Sequence, residues 1–368
     1  MKKQLALHLL SQLLDWDTNE STVEFDWLRM MVEAKFDHYQ GYTPGERFYV
    51  HFIHWLRQFS TLEERRVAYA FVKSKLIFIS QREMHHLVSL TYPVIQRSTR
   101  RCIAGELGLK VHETRLHSQA RRQIEESELR TLYVGLSDGA RIDVFRRDNE
   151  GVISNEQVVA SSEITQEKWK DLKQELRKLL HARGHTGADA TFKRICLIDD
   201  FTASGSTMVR FEEGKWKGKL HRFCNPNREY LGEFIAANAM IQVHHYLGTA
   251  KAATVINELV RSYEKEIGNL KFETTFSHIL SAEVVIDGAS NQDLVSLISN
   301  YYDKTIEKNT HLGGDVSYGY RQCGLPVVLD HNSPNNSIAL IWARGEHADV
   351  MRPLFPRKQR HVEHGQSV

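Results

Sequence analysis

The sequence has few cysteines, and they are far apart. Only four occur in 368 residues: Cys102, Cys196, Cys224 and Cys323. No two of them form a CxxC pair, which argues against a zinc knuckle and against a disulfide framework. A reducing, cytoplasmic environment is therefore the expected location.

The sequence also lacks an excess of charge of one sign and a long apolar run. It has 48 Lys and Arg against 46 Asp and Glu, a formal net charge of +2, so no global field favours nucleic acid or a membrane surface. No run of about eighteen uncharged apolar residues occurs, so no spanning helix and no membrane partner are expected. The start, MKKQLALHLL, predicts an amphipathic first helix, with a signal peptide as the alternative.

Several catalytic signatures are absent as well. The sequence has no P-loop lysine motif, no GxSxG elbow and no HExxH, so ATPase, triad-hydrolase and zinc-peptidase functions have little support. The pairs His85–His86 and His244–His245 are adjacent, and adjacent side chains point apart on a helix or a strand. We therefore predict no metal site in the protein itself.

The hydrophobic pattern changes near residue 125. Before it, apolar residues recur at helical spacing, as in 45–59 and 62–79; after it, short apolar runs alternate with amphipathic helices. We predict a mostly helical N-terminal region over 1–125 and an α/β domain over 126–356, with a mainly parallel sheet flanked by helices. Residues 357–368 are predicted to form a basic, flexible tail.

Within the α/β part, individual elements can be predicted. Strands are expected at LYVGLS (132–137), RICLI (194–198), MIQVHHYLG, SAEVVID, LPVVLD and IALIWA. A helix is expected after Thr165, which can cap it, with its end at Gly184. A second helix is expected at AKAATVINELVRSYEKEIG.

The strongest functional signal is RICLIDDFTASGST, an apolar strand that ends in two aspartates and a loop of small residues. Asp199 and Asp200 would lie at the carboxyl end of the strand, where α/β sheets bind ligands, and could accept hydrogen bonds from ribose hydroxyls. We expect the loop to enter a helix at Ser206 or Thr207, so that N–H groups and hydroxyls would surround a phosphate. The candidate phosphate-binding residues are Thr202, Ala203, Ser204, Gly205, Ser206 and Thr207.

A second signal, GLSDGARIDVFRR, follows the first predicted strand of the sheet. Glycines permit a tight turn, and Arg141 is suited to bind phosphate oxygens in a bidentate manner. The candidate ligand-binding residues here are Ser137, Asp138, Gly139 and Arg141. The alternative is an Asp-Gly hairpin turn with Arg146 and Arg147 on a solvated face.

The first motif resembles the diphosphate-sugar signature of type I phosphoribosyltransferases: four apolar residues, two acids and a Thr/Ser-Gly-x-Thr loop. The resemblance implies that Asp199 and Asp200, the candidate catalytic residues, contact the ribose 2- and 3-hydroxyls and that residues 204–207 hold the 5-phosphate. It also implies Mg²⁺, brought by the substrate diphosphate. The alternative is a Rossmann-like strand-to-helix connection that does not bind this ligand.

Over most of its length the chain looks like bacterial phosphoribosyltransferase-like conflict proteins, including effectors encoded beside retron reverse transcriptases. The resemblance is carried by GERFYVHFIHWLRQF, ISQREMHHLV, GKWKGKL, LDHNSPNNSIALIW and LFPRKQRH, together with the two motifs above. It implies a toxic effector in antiphage defence, restrained by a partner such as a reverse transcriptase with its RNA or DNA. A homo-oligomer is compatible with the sequence.

Other segments leave the acceptor of the ribosyl group unassigned. The N-terminal region is larger than the hood with which nucleotide-salvage enzymes recognise a base, and no base-recognition segment is identifiable. Asp330, His331, Asn332 and Asn335 could line the pocket, although Asn, Ser and Pro are also ordinary turn formers. The basic stretches 97–101 and 357–361 could contact a nucleic-acid backbone, or could simply be solvated.

Two kinds of function therefore remain. The leading hypothesis is an enzyme that breaks the bond between ribose C1 and the diphosphate. The rival is a non-catalytic nucleotide sensor, or a scaffold that docks on a retron reverse transcriptase and its nucleic acid.

Overall fold

The computed structural model describes residues 3–290, 292–308, 314–345 and 351–357. The chain divides into two compact units: the first contains Met1–Glu83 and Glu283–Val368, and the second contains Met84–Ala282. The boundary predicted near residue 125 falls within the second unit. The predicted tail lies outside the described residues, apart from Arg357.

The N-terminal segment of the first unit is helical except for one short strand. Its elements are α1 (Lys3–Leu14), α2 (Thr18–Ala34), α3 (Phe48–Arg57), α4 (Leu62–Ser74) and β1 (Ile77–Ile79). Capping boxes begin α2 and α4, in which Asp17 and Thr61 accept backbone N–H groups of the first turn. The segment 62–79, whose spacing predicts a helix, is helical only as far as Ser74, and its last three residues form β1.

The second unit alternates strands and helices. Its elements, with α5 beginning just before the division, are α5 (Gln81–Ser89), α6 (Thr91–Leu107), α7 (Ser118–Leu129), β2 (Thr131–Gly135), α8 (Ile142–Asp148), β3 (Val158–Val159), α9 (Gln166–Ala182), β4 (Phe192–Thr202), β5 (Arg210–Glu212), β6 (Lys215–Lys217), α10 (Lys219–Asn227), β7 (Ile235–Thr249), α11 (Ala250–Ile267) and β8 (Lys271–Leu280).

Five of these strands form one sheet in the order β3-β2-β4-β7-β8, and every pairing in it is parallel. The predicted α/β architecture is thus confirmed. One face of the sheet packs on α9 and α11, whose buried side chains include Trp169, Leu172 and Ile256. Thr165 caps α9 as expected, since its side chain accepts the Lys168 N–H.

The C-terminal segment of the first unit contributes α12 (Gln292–Tyr301), β9 (Val327–Leu329) and α13 (Ala339–Trp342). Strand β9 pairs in parallel with β1, with Phe78 opposite Val328. The Trp55 indole N–H donates to the Leu340 carbonyl at 2.8 Å, which ties the two segments of this unit together. No helix among the described residues is long and apolar enough to cross a bilayer.

Two predicted strands are wrong. IALIWA contains the single-turn helix α13. The prediction failed because a fully buried apolar run does not by itself distinguish a strand from a helix. SAEVVID contains a 3₁₀ turn at Ala282–Val284, and the edge strand is the preceding segment, β8. Strand β8 is rich in Thr, Ser and His because part of its side-chain surface hydrogen-bonds buried polar groups of β7, such as Thr275 Oγ1 with His244 Nδ1 at 3.0 Å.

Candidate ribose-phosphate site

The two sequence motifs meet at the carboxyl edge of the sheet. Strands β2 and β4 are parallel and in register, with Gly135 opposite Ile198, so the segments that follow both strands leave the sheet side by side. The Leu136 N–H donates to the Ile198 carbonyl at 2.9 Å and extends this pairing to the start of the turn. Residues 137–141 and 199–207 are thus neighbours, as expected of a ligand site at this edge.

Asp199 and Asp200 point to opposite faces of β4, since successive side chains alternate along a strand. Asp199 is 3% exposed and accepts two hydrogen bonds, one from the Ser137 hydroxyl at 2.6 Å and one from Lys219 Nζ at 2.5 Å. Burial raises the pKa of Asp199, and the charge of Asp200 raises it further, while Lys219 and Ser137 oppose the rise. Asp199 is therefore held in place by protein groups on both of its oxygens.

Asp200 is half-buried and lies against the turn that follows β2. A β-carbon built on Gly139 would lie 2.2 Å from Asp200 Oδ2, so a side chain at this position would displace the carboxylate. Next to it, the Tyr246 hydroxyl donates to the Ala140 carbonyl at 2.5 Å. Burial and the charges of Asp200 and Asp199 raise the pKa of Tyr246, and Arg141 lowers it, so these charged groups share one neighbourhood.

The turn between β2 and α8 has the form of a 3₁₀ turn, Asp138–Ala140, followed by a helix, and not of a hairpin. Arg141 has a left-handed φ of 44°, a conformation that is costly for a residue other than Gly or Asn. Asp138 is exposed, whereas Ser137 and Arg141 are half-buried. The predicted alternative, an Asp-Gly hairpin, does not form.

The loop that follows β4 is buried, with only Thr207 exposed among its residues 202–207. The Ser204 and Ser206 hydroxyls lie 2.9 Å apart, and the Thr249 hydroxyl donates to the Ala203 carbonyl at 2.7 Å. Gly205 has φ 78°, and a β-carbon there would lie 2.9 Å from a side-chain carbon of Ile256 in α11. Among the described residues, no backbone carbonyl accepts the N–H groups of Ser204, Gly205 or Thr207.

The expectation that this loop enters a helix at Ser206 or Thr207 is wrong. The loop closes with a turn and continues into the β5–β6 hairpin, and α10 begins only at Lys219. Glu213 and Gly214 have φ values of 56° and 73°, as a type I′ two-residue hairpin requires. The helix dipole thus does not act on this loop as predicted, and its backbone N–H groups and hydroxyls are the donors it offers to an anion.

Helix α10 is nevertheless attached to the loop. The backbone N–H groups of Lys219 and Leu220 donate to the carbonyls of Thr207 and Met208 at 3.0 and 2.9 Å. Gly218, with φ 109°, allows this approach, because a β-carbon there would lie 2.5 Å from the Met208 oxygen. The attachment positions the Lys219 side chain over Asp199.

Two residues of this neighbourhood had no role in the sequence-based prediction. Lys219 lies in GKWKGKL, a segment that carried the family resemblance without an assigned function. His245 is opposite Asp199 in the sheet and 1% exposed, and its Nδ1 has no hydrogen-bond partner among the described residues. Burial and the charge of Lys219 lower the pKa of His245 to about 3, so the ring is neutral.

Other candidates lie elsewhere in the chain. Asp330 belongs to the first unit, where it is fully buried and accepts from Gln40 Nε2 at 3.2 Å; His331, Asn332 and Asn335 belong to the same unit. Of the two basic stretches, 97–101 is part of α6, and in the other Arg357 donates to the Ser333 carbonyl at 2.9 Å. Residues 358–361 lie outside the described part of the chain.

A parallel α/β sheet with an Asp-Asp pair and a Gly-Ser loop at its carboxyl edge is the arrangement expected from the resemblance to phosphoribosyltransferases. The model of the PRTase-CE family matches residues 52–357, which is most of the chain, and the protein belongs to that family. Searches of curated proteins and of solved structures returned no significant match.

Proposed function

We propose that the second unit binds the 5-phosphoribosyl group of phosphoribosyl diphosphate, or of a related ribose phosphate or nucleotide, and cleaves or transfers it at ribose C1. The observation that carries the proposal is the convergence of the two motifs. The Ser137 hydroxyl donates to Asp199, and Gly139 makes room for Asp200, directly beside the loop over residues 202–207. Family membership supports the same ligand class.

In this proposal the two acids have different tasks. Asp200, half-buried and not enclosed by the Lys219 pair, accepts hydrogen bonds from the ribose hydroxyls. Asp199 holds the turn after β2 and the start of α10 in place, because it accepts hydrogen bonds from Ser137 and from Lys219. The loop N–H groups and the Ser204, Ser206 and Thr207 hydroxyls hold the 5-phosphate, and Arg141 faces the diphosphate.

Mg²⁺ fits this site as a companion of the substrate. Among the described residues no three His, Cys, Asp or Glu side chains are arranged to hold a metal ion, whereas Mg²⁺ commonly uses one or two carboxylates together with phosphate oxygens. In this proposal Asp200 is the carboxylate that would contact the ion. When bound, the ion would neutralise charge on the leaving diphosphate.

The reaction breaks the bond between C1 and the diphosphate oxygen, and the diphosphate leaves with the bonding electron pair. The positive charge that develops at C1 and the ring oxygen is stabilised by the Asp200 carboxylate. An acceptor then forms the new bond to C1 and releases a proton to solvent; with water as acceptor the product is ribose 5-phosphate. Consistent with the resemblance to conflict proteins, we propose that the activity is toxic, serves antiphage defence and is restrained by a partner such as a reverse transcriptase with its RNA or DNA.

One observation favours a second candidate, a sensor that binds the ligand without turnover. Asp199 has both oxygens engaged by protein groups, and the loop residues from Thr202 to Ser206 are all buried. A closed site of this kind is suited to holding a ligand and reporting its presence to a partner.

The experiment that tests the proposal is titration of the full chain with phosphoribosyl diphosphate and Mg²⁺ by calorimetry, with diphosphate release assayed in the same samples. We compare Asp200→Asn with Asp171→Asn, which removes a charge from an exposed position of α9. We expect Asp200→Asn to weaken binding about tenfold or more, as for the loss of a charge-assisted hydrogen bond, and Asp171→Asn to leave it unchanged.

The outcomes separate the candidates. Binding and release lost together in Asp200→Asn support the enzyme, and binding without release in the wild type supports the sensor. If the folded wild type binds neither phosphoribosyl diphosphate nor ribose 5-phosphate, the ribose-phosphate assignment is wrong.

A further inference from the structure

The second unit contains a cavity of about 370 Å³ between α6, the 3₁₀ turn Val111–Arg115 and α7. None of the residues that line it belongs to the segments 137–141 or 199–207. Its volume falls within the range of about 300–1,000 Å³ that is usual for small-molecule pockets.

Three arginines line this cavity: Arg100, Arg115 and Arg121. Within the described part of the chain, none of the three forms an ion pair with a carboxylate. The Nε of Arg100 is buried and has no hydrogen-bond partner among the described residues. A buried guanidinium N–H without an acceptor is costly, and an anion bound beside Arg100 would remove this cost.

The lining also offers acceptors. Glu128 and Gln96 lie together, with Gln96 Nε2 donating to Glu128 Oε1 at 2.9 Å, and Glu125 lies 3.5 Å from His185 Nε2. These carboxylates leave oxygen lone pairs for hydroxyl or amino groups of a ligand. The cavity thus combines cationic groups with hydrogen-bond acceptors.

We propose that this cavity is a separate binding site for a phosphate-bearing ligand of mononucleotide size. The arginines bind the phosphate, since planar guanidinium groups match phosphate oxygens in bidentate geometry. Gln96, Glu125 and Glu128 accept hydrogen bonds from the ribose or base. The site lies outside the ribose-phosphate site and does not depend on its function.

The test uses 5′-AMP as the probe, titrated by calorimetry into the full chain carrying Asp200→Asn, which impairs the candidate ribose-phosphate site. In this background we compare Arg100→Met with Arg101→Met, its exposed neighbour on α6, which does not line the cavity. We expect Arg100→Met to weaken AMP binding about tenfold or more and Arg101→Met to leave it within about twofold.

The variant Arg100→Lys, together with thermal melting, distinguishes a loss of AMP binding from a loss of folding. The lysine keeps the charge but loses the planar fork, so we expect weakened binding at an unchanged melting temperature. The proposal is overturned if the Asp200→Asn protein does not bind AMP, or if Arg100→Met binds it as tightly as Arg101→Met. If inorganic phosphate binds as tightly as AMP in an Arg100-dependent manner, the assignment to a mononucleotide is wrong.

Discussion

The two ends of strand β4 both bury charged side chains, but they do so in different ways. At the amino end, Arg194 Nη1 donates to Gln242 Oε1 at 2.6 Å and Ser98 Oγ at 3.2 Å, and lies 3.4 Å from Glu273 Oε2. These partners all lie on strands or on α6. At the carboxyl end, Asp199 accepts hydrogen bonds from Ser137 and Lys219. Ser137 lies on a turn, and Lys219 is the first residue of α10.

This difference indicates which end can respond to a ligand. Side chains fixed on strands and a long helix have little freedom to exchange partners, so we interpret the Arg194 cluster as structural. Groups on turns and loops can exchange a protein partner for a ligand at lower cost. Substitutions at the two ends should therefore differ in what they change: stability at the amino end, ligand binding at the carboxyl end.

Arg194→Met should destabilise the protein most. It would leave the fully buried Gln242 and the half-buried Glu273 without their cationic partner, at a cost of about 4 kcal/mol in the free energy of unfolding. Urea denaturation measures the change, and Lys193→Met, at an exposed neighbouring position, should cost less than about 1 kcal/mol. A fully stable Arg194→Met protein would show that the amino end is no more structural than the carboxyl end.

Lowering the pH from 7.5 to 5.5 should destabilise the protein by about 3 kcal/mol through His244 and His245. Burial lowers the pKa of both to about 3 from an ordinary 6.5, so below pH 6.5 the unfolded chain binds protons that the folded chain does not. Stability is therefore greatest above pH 6.5 and falls with pH towards about 3. Denaturation at several pH values measures this slope.

The variant His245→Leu measures how much of this pH dependence comes from one of the two histidines. It should remove about half of the pH dependence, because one of the two buried histidines no longer titrates in the unfolded chain. If the slope between pH 7.5 and 5.5 is unchanged in this variant, His245 is not a source of the acid sensitivity.

Asp199→Asn should cost about 2 kcal/mol of stability, whereas Asp200→Asn should cost less than about 1 kcal/mol. The reason is that Lys219, largely buried, loses its ion-pair partner only in the first variant. Denaturation of the two variants, which remove the same charge from adjacent residues, measures the difference. Equal losses would contradict the separate tasks assigned to the two acids.

Gly139→Ala should have the smallest effect, about 1 kcal/mol in ligand binding, or roughly fivefold. The added β-carbon would lie 2.2 Å from Asp200 Oδ2, too close for the carboxylate to keep its position. Calorimetry with phosphoribosyl diphosphate measures it. Gly187→Ala is the matched control, because a β-carbon there meets no atom within 4 Å.

The sequence predicted the parts of the fold whose signals are local. The apolar strand before Asp199, the cap at Thr165 and the alternation of strands and helices all have the expected structure. The prediction failed where the local pattern was ambiguous. The apolar run IALIWA is compatible with a strand and with a helix, and it forms a helix. Strand β8 has too many polar residues to be recognised as a strand until its hydrogen-bond partners on β7 are known.

The chain by itself determined that two aspartates and a small-residue loop follow one buried strand, because these features lie within a few consecutive residues. Only the tertiary structure decided that Lys219, twenty residues beyond Asp199 in sequence, pairs with it, and that the turn at 137–141 lies against Asp200. These contacts depend on the parallel pairing of β2 with β4 and on the hairpin before α10. Strand register and loop path are set by packing of the whole unit, which short-range patterns do not encode.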